Sequence, residues 1–197
     1  MPSNIIIIDY NAGNVQSVRF ALKRLGVAAQ LSADPTVIQN ADKVIFPGVG
    51  EASTTMDYLK RKGLDEVIKN LRQPVLGICL GMQLLCEHSA ENDTPCLAVI
   101  PQKVKRFVGN TNFKVPHMGW NQIYNLQGAI FDQGQARQYT YFVHGYYVEE
   151  GAYTTALTDY IHPFSAAIQK DNFHATQFHP EKSGSIGEQI LTNFINL

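Results

Sequence analysis

Four consecutive isoleucines, Ile5–Ile8, constrain the fold of this chain more than any other feature. A half-buried strand alternates apolar and polar residues, and this run does not. It reads as a strand covered on both faces, the mark of a parallel sheet. A helical pattern follows over 14–25, with Val15, Val18, Ala21, Leu22 and Leu25 at helical spacing and Gly26 as its stop. The rhythm then repeats. Strands are expected at 28–31, 43–46 and 74–78, and helices at 35–40, 52–60, 64–70 and 80–88. This βαβα order argues for an α/β fold with a mostly parallel central sheet flanked by helices. From about 104 the character changes, with strand candidates at 122–124, 140–147, 154–158, 164–169 and 173–178. Their spacing predicts antiparallel additions to the sheet or beside it. A helix over 183–196 closes the chain. With 197 residues and no linker or internal repeat, residues 1–197 read as one domain.

Composition removes several function classes. Sixteen Lys and Arg face seventeen Asp and Glu, a net charge of −1, which speaks against nucleic acid and anionic membranes as partners. Nothing approaches the roughly 20 apolar residues of a membrane span, and residues 1–9 lack the basic start of a signal peptide. Cys79, Cys86 and Cys96 are odd in number and lack metal-ligand spacing. No metal or cofactor is expected, and reduced cysteines suit a cytoplasmic protein.

The segment Gly77-Ile78-Cys79-Leu80-Gly81-Met82-Gln83 joins an expected strand to an expected helix. A nucleophile on so sharp a turn needs small neighbours, as in the G-x-S-x-G elbow. Cys79 would sit at a helix N-terminus, which favours thiolate. Cys86 and Cys96 have no such setting; Cys86 is expected inside the helix as packing, and Cys96 in a loop. A thiolate nucleophile needs a base and the base an orienting group, and His179-Pro180-Glu181 supplies both. Pro180 keeps His179 extended, and residues two apart in an extended chain share a side. The Leu80 amide is one oxyanion donor, and Pro47-Gly48-Val49-Gly50 can provide a second. There is no dinucleotide or phosphate-loop motif. The aromatic run 139–147 and Pro116-His117-Met118-Gly119-Trp120-Asn121, which holds the only Trp, read as core or as interface.

These three segments together resemble the signatures of class I, triad-type glutamine amidotransferases. The segments 9–14, 116–121, 141–147 and 177–184 extend the resemblance to nearly the whole chain. They resemble most the glutaminase branch that serves imidazole glycerol phosphate synthases. The resemblance implies Cys79, His179 and Glu181 as a triad acting on glutamine, with Leu80, Val49 and Gly50 as the oxyanion hole. It implies Gly48, Gln83, Glu91 and His144 around the substrate, and His117, Met118, Trp120 and Asn121 toward a partner. That partner would be a (β/α)8-barrel cyclase, held as a heterodimer, which combines the released ammonia with a ribonucleotide in histidine biosynthesis. Gly145 departs from the family pattern, where a small hydroxyl residue is expected after His144. Three other readings remain open at this point: a paralogue serving another acceptor, a partner-independent cysteine hydrolase, and a catalytically silent binding subunit.

Overall fold

The computed structural model describes residues 4–10, 15–132 and 137–197. Strand β1 (Ile5–Ile8) is fully buried along its length. Ile6 and Ile8 enter one hydrophobic cluster and Ile5 and Ile7 the other, as a two-sided strand requires. Helix α1 (Val15–Arg24), strand β2 (Ala29–Ser32), helix α2 (Pro35–Gln39) and strand β3 (Lys43–Phe46) follow. Asp34 caps α2 by accepting from the amides of Thr36 and Val37, with Pro35 in the first turn. Helices α3 (Ala52–Lys62) and α4 (Leu64–Lys69) lead to strand β4 (Val75–Ile78) and the short helix α5 (Leu80–Leu85).

The second half supplies strands β5 (Cys86–Ser89), β6 (Thr94–Pro95), β7 (Ile100–Arg106), β8 (His117–Gln122), β9 (Tyr139–His144), β10 (Tyr146–Val148), β11 (Thr154–Asp159), β12 (Pro163–Lys170) and β13 (Phe173–Thr176). Helix α6 (Gly184–Ile195) ends the fold. The large sheet runs β11-β12-β13-β4-β3-β1-β2, parallel from β13 to β2 and antiparallel at the β11–β12 edge. A second sheet, β10-β7-β5-β6, and the hairpin β8–β9 lie outside it. Added antiparallel strands thus occur both in the sheet and beside it.

Three expectations need correction. The helix after Cys79 stops at Leu85. Cys86–Ser89 is strand, because it pairs with β7 and β6, so Cys86 packs in a sheet rather than a helix. Tertiary pairing overrides a helix-like apolar pattern here. β7 itself escaped notice because only Ile100 and Val104 face inward along a polar run. A strand at 122–124 is not formed; Gln122 ends β8, and Tyr124 makes a single bridge to Leu157. The expected helix start at Asn14 lies outside the described residues.

β3, β4 and β13 are neighbours and parallel. Strands in a sheet lie about 4.8 Å apart, so their C-terminal ends are brought together. Those ends carry Pro47–Gly50, Cys79 and His179, and α/β sheets build their sites at that edge. Among the described residues no helix is long and apolar enough to cross a membrane.

Candidate active site

Cys79 adopts φ 54° and ψ −107°, left-handed backbone for a residue with a side chain. Its amide donates to the Thr176 carbonyl at 2.8 Å, and β4 and α5 pull the chain in different directions on either side. Such a conformation persists only when the surroundings enforce it. Gly81 is one reason it can. A Cβ there would lie 2.0 Å from the Phe46 carbonyl oxygen, so only glycine lets the first turn of α5 close against β3. Gly48 answers from the other side, where a Cβ would lie 2.6 Å from the Gly81 nitrogen and from the Leu80 Cβ. The elbow and the Pro47–Gly50 turn therefore lie in close contact.

His179 is extended (φ −97°, ψ 97°), as Pro180 requires. Residues Pro180–Lys182 then form a 3-10 turn, not the extended chain expected, and the turn brings Glu181 back to the ring. The Glu181 carboxylate lies 2.8 Å from His179 Nδ1, both side chains fully buried. The ring also interacts with Cys79. Burial alone would lower the His179 pKa. The bonds to Cys79 and Glu181, and their charges, outweigh it and raise the pKa to about 10. The main chain is pinned as well: the His179 amide donates to the Tyr141 carbonyl at 2.9 Å, and the Ser183 hydroxyl donates to the His179 carbonyl at 2.6 Å.

Cys79 faces a cavity of about 310 Å³, lined also by Val49, Gly50, Leu80, Gln83, Glu91, Pro116, Val143, His144, Gly145 and Tyr146. That lies at the small end of ligand cavities, about 300–1,000 Å³. The Leu80 amide adjoins the sulfur, but it donates to the Gly48 carbonyl at 3.3 Å. Tyr10, at the end of β1, donates its hydroxyl to the Pro47 carbonyl and so braces the same turn. Its phenol pKa is raised, first by burial and then by the nearby Cys79 charge. Gly50 has φ 129°, which residues with side chains rarely adopt.

Glu91 borders the cavity, and one of its oxygens accepts from the Ala52 amide at 2.8 Å. Burial raises its pKa; the Ala52 bond opposes this and the Glu51 charge adds to it. Gln83 is buried, with Nε2 donating to the Tyr146 carbonyl at 3.2 Å and to Gln177 Oε1 at 3.0 Å. His144 Nδ1 lies 2.7 Å from that same carbonyl. A carbonyl only accepts, so Nδ1 carries the proton and Nε2 is the acceptor. His117 Nδ1 then donates to His144 Nε2 at 3.1 Å, and Asn121 Nδ2 donates to His117 Nε2 at 3.4 Å. Both imidazoles are neutral: burial lowers the pKa to about 4 in His117 and about 3 in His144.

The four residues expected to face a partner therefore divide. Met118 and Trp120 point outward from β8, 64% and 55% exposed. His117 is buried, stacked on Phe142 and Tyr160, and Asn121 turns in to donate to the Asp159 carbonyl. Strand alternation explains the split. The hexapeptide is neither all core nor all interface. A Cβ at Gly145 would meet nothing nearer than Val115 Cγ1 at 3.6 Å, so the space accepts the hydroxyl side chain expected there.

A family model described as glutamine amidotransferase class-I matches residues 6–197. The chain belongs to the class I glutamine amidotransferase family. The amidotransferase is 59% identical over 194 residues to a Bacteroides thetaiotaomicron protein named imidazole glycerol phosphate synthase subunit HisH, covering 98% of this chain and 99% of the relative. It is 44% identical over 195 residues to an Idiomarina loihiensis protein of the same name, covering 98% of each. A solved Thermoplasma acidophilum structure, described as that of a putative GMP synthase protein, superposes with a TM-score of 0.74 at 20% identity, over 98% of this chain and 93% of the other. At that identity it speaks for the fold. The Cys79 elbow, the His179–Glu181 pair and the Pro47–Gly50 turn of the amidotransferase were legible as motifs. Gln177, Tyr10 and the Tyr146 carbonyl were not assigned roles. Gln177 did leave a signal: it is a polar residue two positions before His179 in an extended segment, and so on the same side.

Proposed function

We propose that this chain is the glutaminase subunit of an imidazole glycerol phosphate synthase, with residues 1–197 forming one amidotransferase domain. The observation that supports the chemistry is the meeting of Cys79, the His179–Glu181 pair and the Gly48–Gly50 turn at three adjoining strand ends. The full-length identity to synthase subunits supports the acceptor pathway.

In this reading His179 takes the thiol proton, and the sulfur attacks the side-chain amide carbon of glutamine. The C–S bond forms, and the carbonyl electron pair moves onto oxygen. Collapse breaks the C–N bond, with His179 returning the proton to the nitrogen, and ammonia leaves. Water then attacks the glutamyl thioester with His179 as base, breaking the C–S bond and freeing glutamate. Glu181 holds the ring and balances its charge.

The oxyanion is to be held by the amides of Leu80 and of Val49–Gly50. The Leu80 amide is engaged with the Gly48 carbonyl, so that peptide must turn away first. This is why the isolated subunit is read as a poor glutaminase, completed when a partner docks. Gln83, Glu91, His144 and Gly48 surround the substrate. Met118 and Trp120 face the partner, a (β/α)8-barrel cyclase, and the pair works in the cytoplasm. The test is co-purification with a candidate cyclase and measurement of glutamate release with and without it and its ribonucleotide. Release that rises strongly with both is the expected result. Full turnover by the isolated chain would overturn the gating, and no glutamine use in either state would overturn the reading.

A further inference from the structure

We infer that Gln177 is a catalytic residue of this site: its side-chain amide donates to the Cys79 sulfur and stabilises the thiolate from behind. Resting on the glutaminase reading above, it adds a contact outside the Cys-His-Glu set. Gln177 is completely buried, and its Nε2 lies 3.6 Å from Cys79 Sγ, within range for a bond to sulfur. It does not line the cavity. The amide therefore reaches the sulfur from the protein interior rather than from the cavity.

The direction of the bond follows from the network. An amide can present either end to a neighbour, so its polarity has to be argued. The Tyr146 carbonyl can only accept, which makes the end of Gln83 that faces it the nitrogen. That nitrogen also faces Gln177, so Gln177 must offer it oxygen, at 3.0 Å. The Gln177 nitrogen is left toward the sulfur. One main-chain carbonyl thus sets a relay that ends on the nucleophile, and the same carbonyl holds the tautomer of His144.

A donor is needed there. α5 has only six residues, so the partial charge at its N-terminus is small. The Val143 carbonyl, 3.9 Å from the sulfur, accepts from the thiol but gives nothing to the thiolate. His179 is the other donor while it holds the proton taken from the thiol. The amide of Gln177 holds its proton throughout. Hydrogen bonds to charged groups are also the stronger kind.

The test follows the pH dependence of Cys79 alkylation by iodoacetamide, with peptide mapping to separate Cys79 from Cys96. The titratable groups facing Cys79 are His179 and Glu181 after β13, Tyr10 after β1, His144 on β9, and Glu91 and Tyr146 on the cavity wall. All are unchanged in Gln177→Met. Loss of a bond to a charged group predicts a midpoint raised by about one to two pH units. Glutamine turnover with the partner should lose about tenfold in kcat with KM unchanged, because Gln177 does not line the cavity. Gln83→Met releases the orientation of Gln177 and should raise the midpoint by a smaller amount. It also keeps the inference testable if Gln177→Met does not fold. A midpoint within a few tenths of wild type in the folded Gln177→Met protein, or in Gln83→Met if the former does not fold, overturns the role of Gln177. Failure of the reading beneath it looks different: wild-type Cys79 would then be neither protected by glutamine nor required for turnover.

Discussion

Two walls of one cavity are built in different ways. The elbow wall is made of main chain: the ends of β3, β4 and β13, pressed together until Gly48 and Gly81 leave no room for a Cβ. The hairpin wall, β8–β9, is made of side chains. Its inner face stacks His117, Phe142 and His144 in a ring cluster, and its outer face leaves Met118, Trp120 and Tyr139 exposed. Strand ends held by a central sheet cannot shift without breaking strand pairing, which suits the close placement proposed for Cys79, while the Gly48–Gly50 turn lies beyond the paired residues of β3. A two-stranded hairpin outside the large sheet has no such constraint. Its inner face carries a chain of bonded side chains from Asn121 through His117 and His144 to the Tyr146 carbonyl.

The comparison breaks first, and by the largest effect, at the elbow. Cys79→Ala is expected to cut glutamine turnover by about 10⁴-fold or more while leaving partner affinity and melting temperature near wild type. A titration against the partner together with a glutaminase assay reads both. Loss of partner binding would mean that the two walls are not separate in function.

The hairpin wall should fail in acid. His117 and His144 are neutral in the folded chain and titrate near 6.5 once unfolded. Between about pH 6.5 and pH 4 the unfolded state binds more protons, so stability falls as pH falls through that window. For His144 alone the loss at pH 5 is about 2 kcal/mol. Denaturant midpoints at pH 7 and pH 5 measure it, and His144→Phe should remove part of the slope. An unchanged slope would place the acid sensitivity elsewhere.

On the outer face, Trp120→Ala should weaken the complex by about 2 kcal/mol, some thirtyfold in Kd, with little change in the fold. Calorimetric titration of the partner measures this, and an unaltered Kd would remove Trp120 from the interface. The smallest effect is expected at the seam between the walls. Gly145→Ser would place its Cβ in ordinary contact with Val115 Cγ1 at 3.6 Å. It should change stability by less than about 1 kcal/mol, toward greater stability. Thermal melts decide, and a large loss would show that the seam needs glycine.

The elbow was readable because its requirements are local. A strand, a turn and a helix in sequence leave a glycine pattern around Cys79, and Pro180 marks His179 as extended whatever the rest of the chain does. The hairpin wall was less readable. The hexapeptide 116–121 drew notice as a unit, yet alternation along β8 sends His117 and Asn121 inward and Met118 and Trp120 outward. Its pairing with β9 decides this, and β9 lies about twenty residues away. Cys86 shows the same limit: a helical apolar pattern yields to pairing with β7.

The sequence by itself determined the parallel core, through Ile5–Ile8, and singled out Cys79, His179 and Glu181 as the candidates for nucleophile, base and orienting acid. Local backbone preference and hydrophobic periodicity are short-range and can be read along the chain. Only the tertiary structure decided that β13 lies beside β4, that the Leu80 amide is engaged by Gly48, and that Gln177 points its nitrogen at the Cys79 sulfur. Each of these depends on partners 32 to 98 residues apart. A hydrogen bond has a direction only once both of its ends are placed in space.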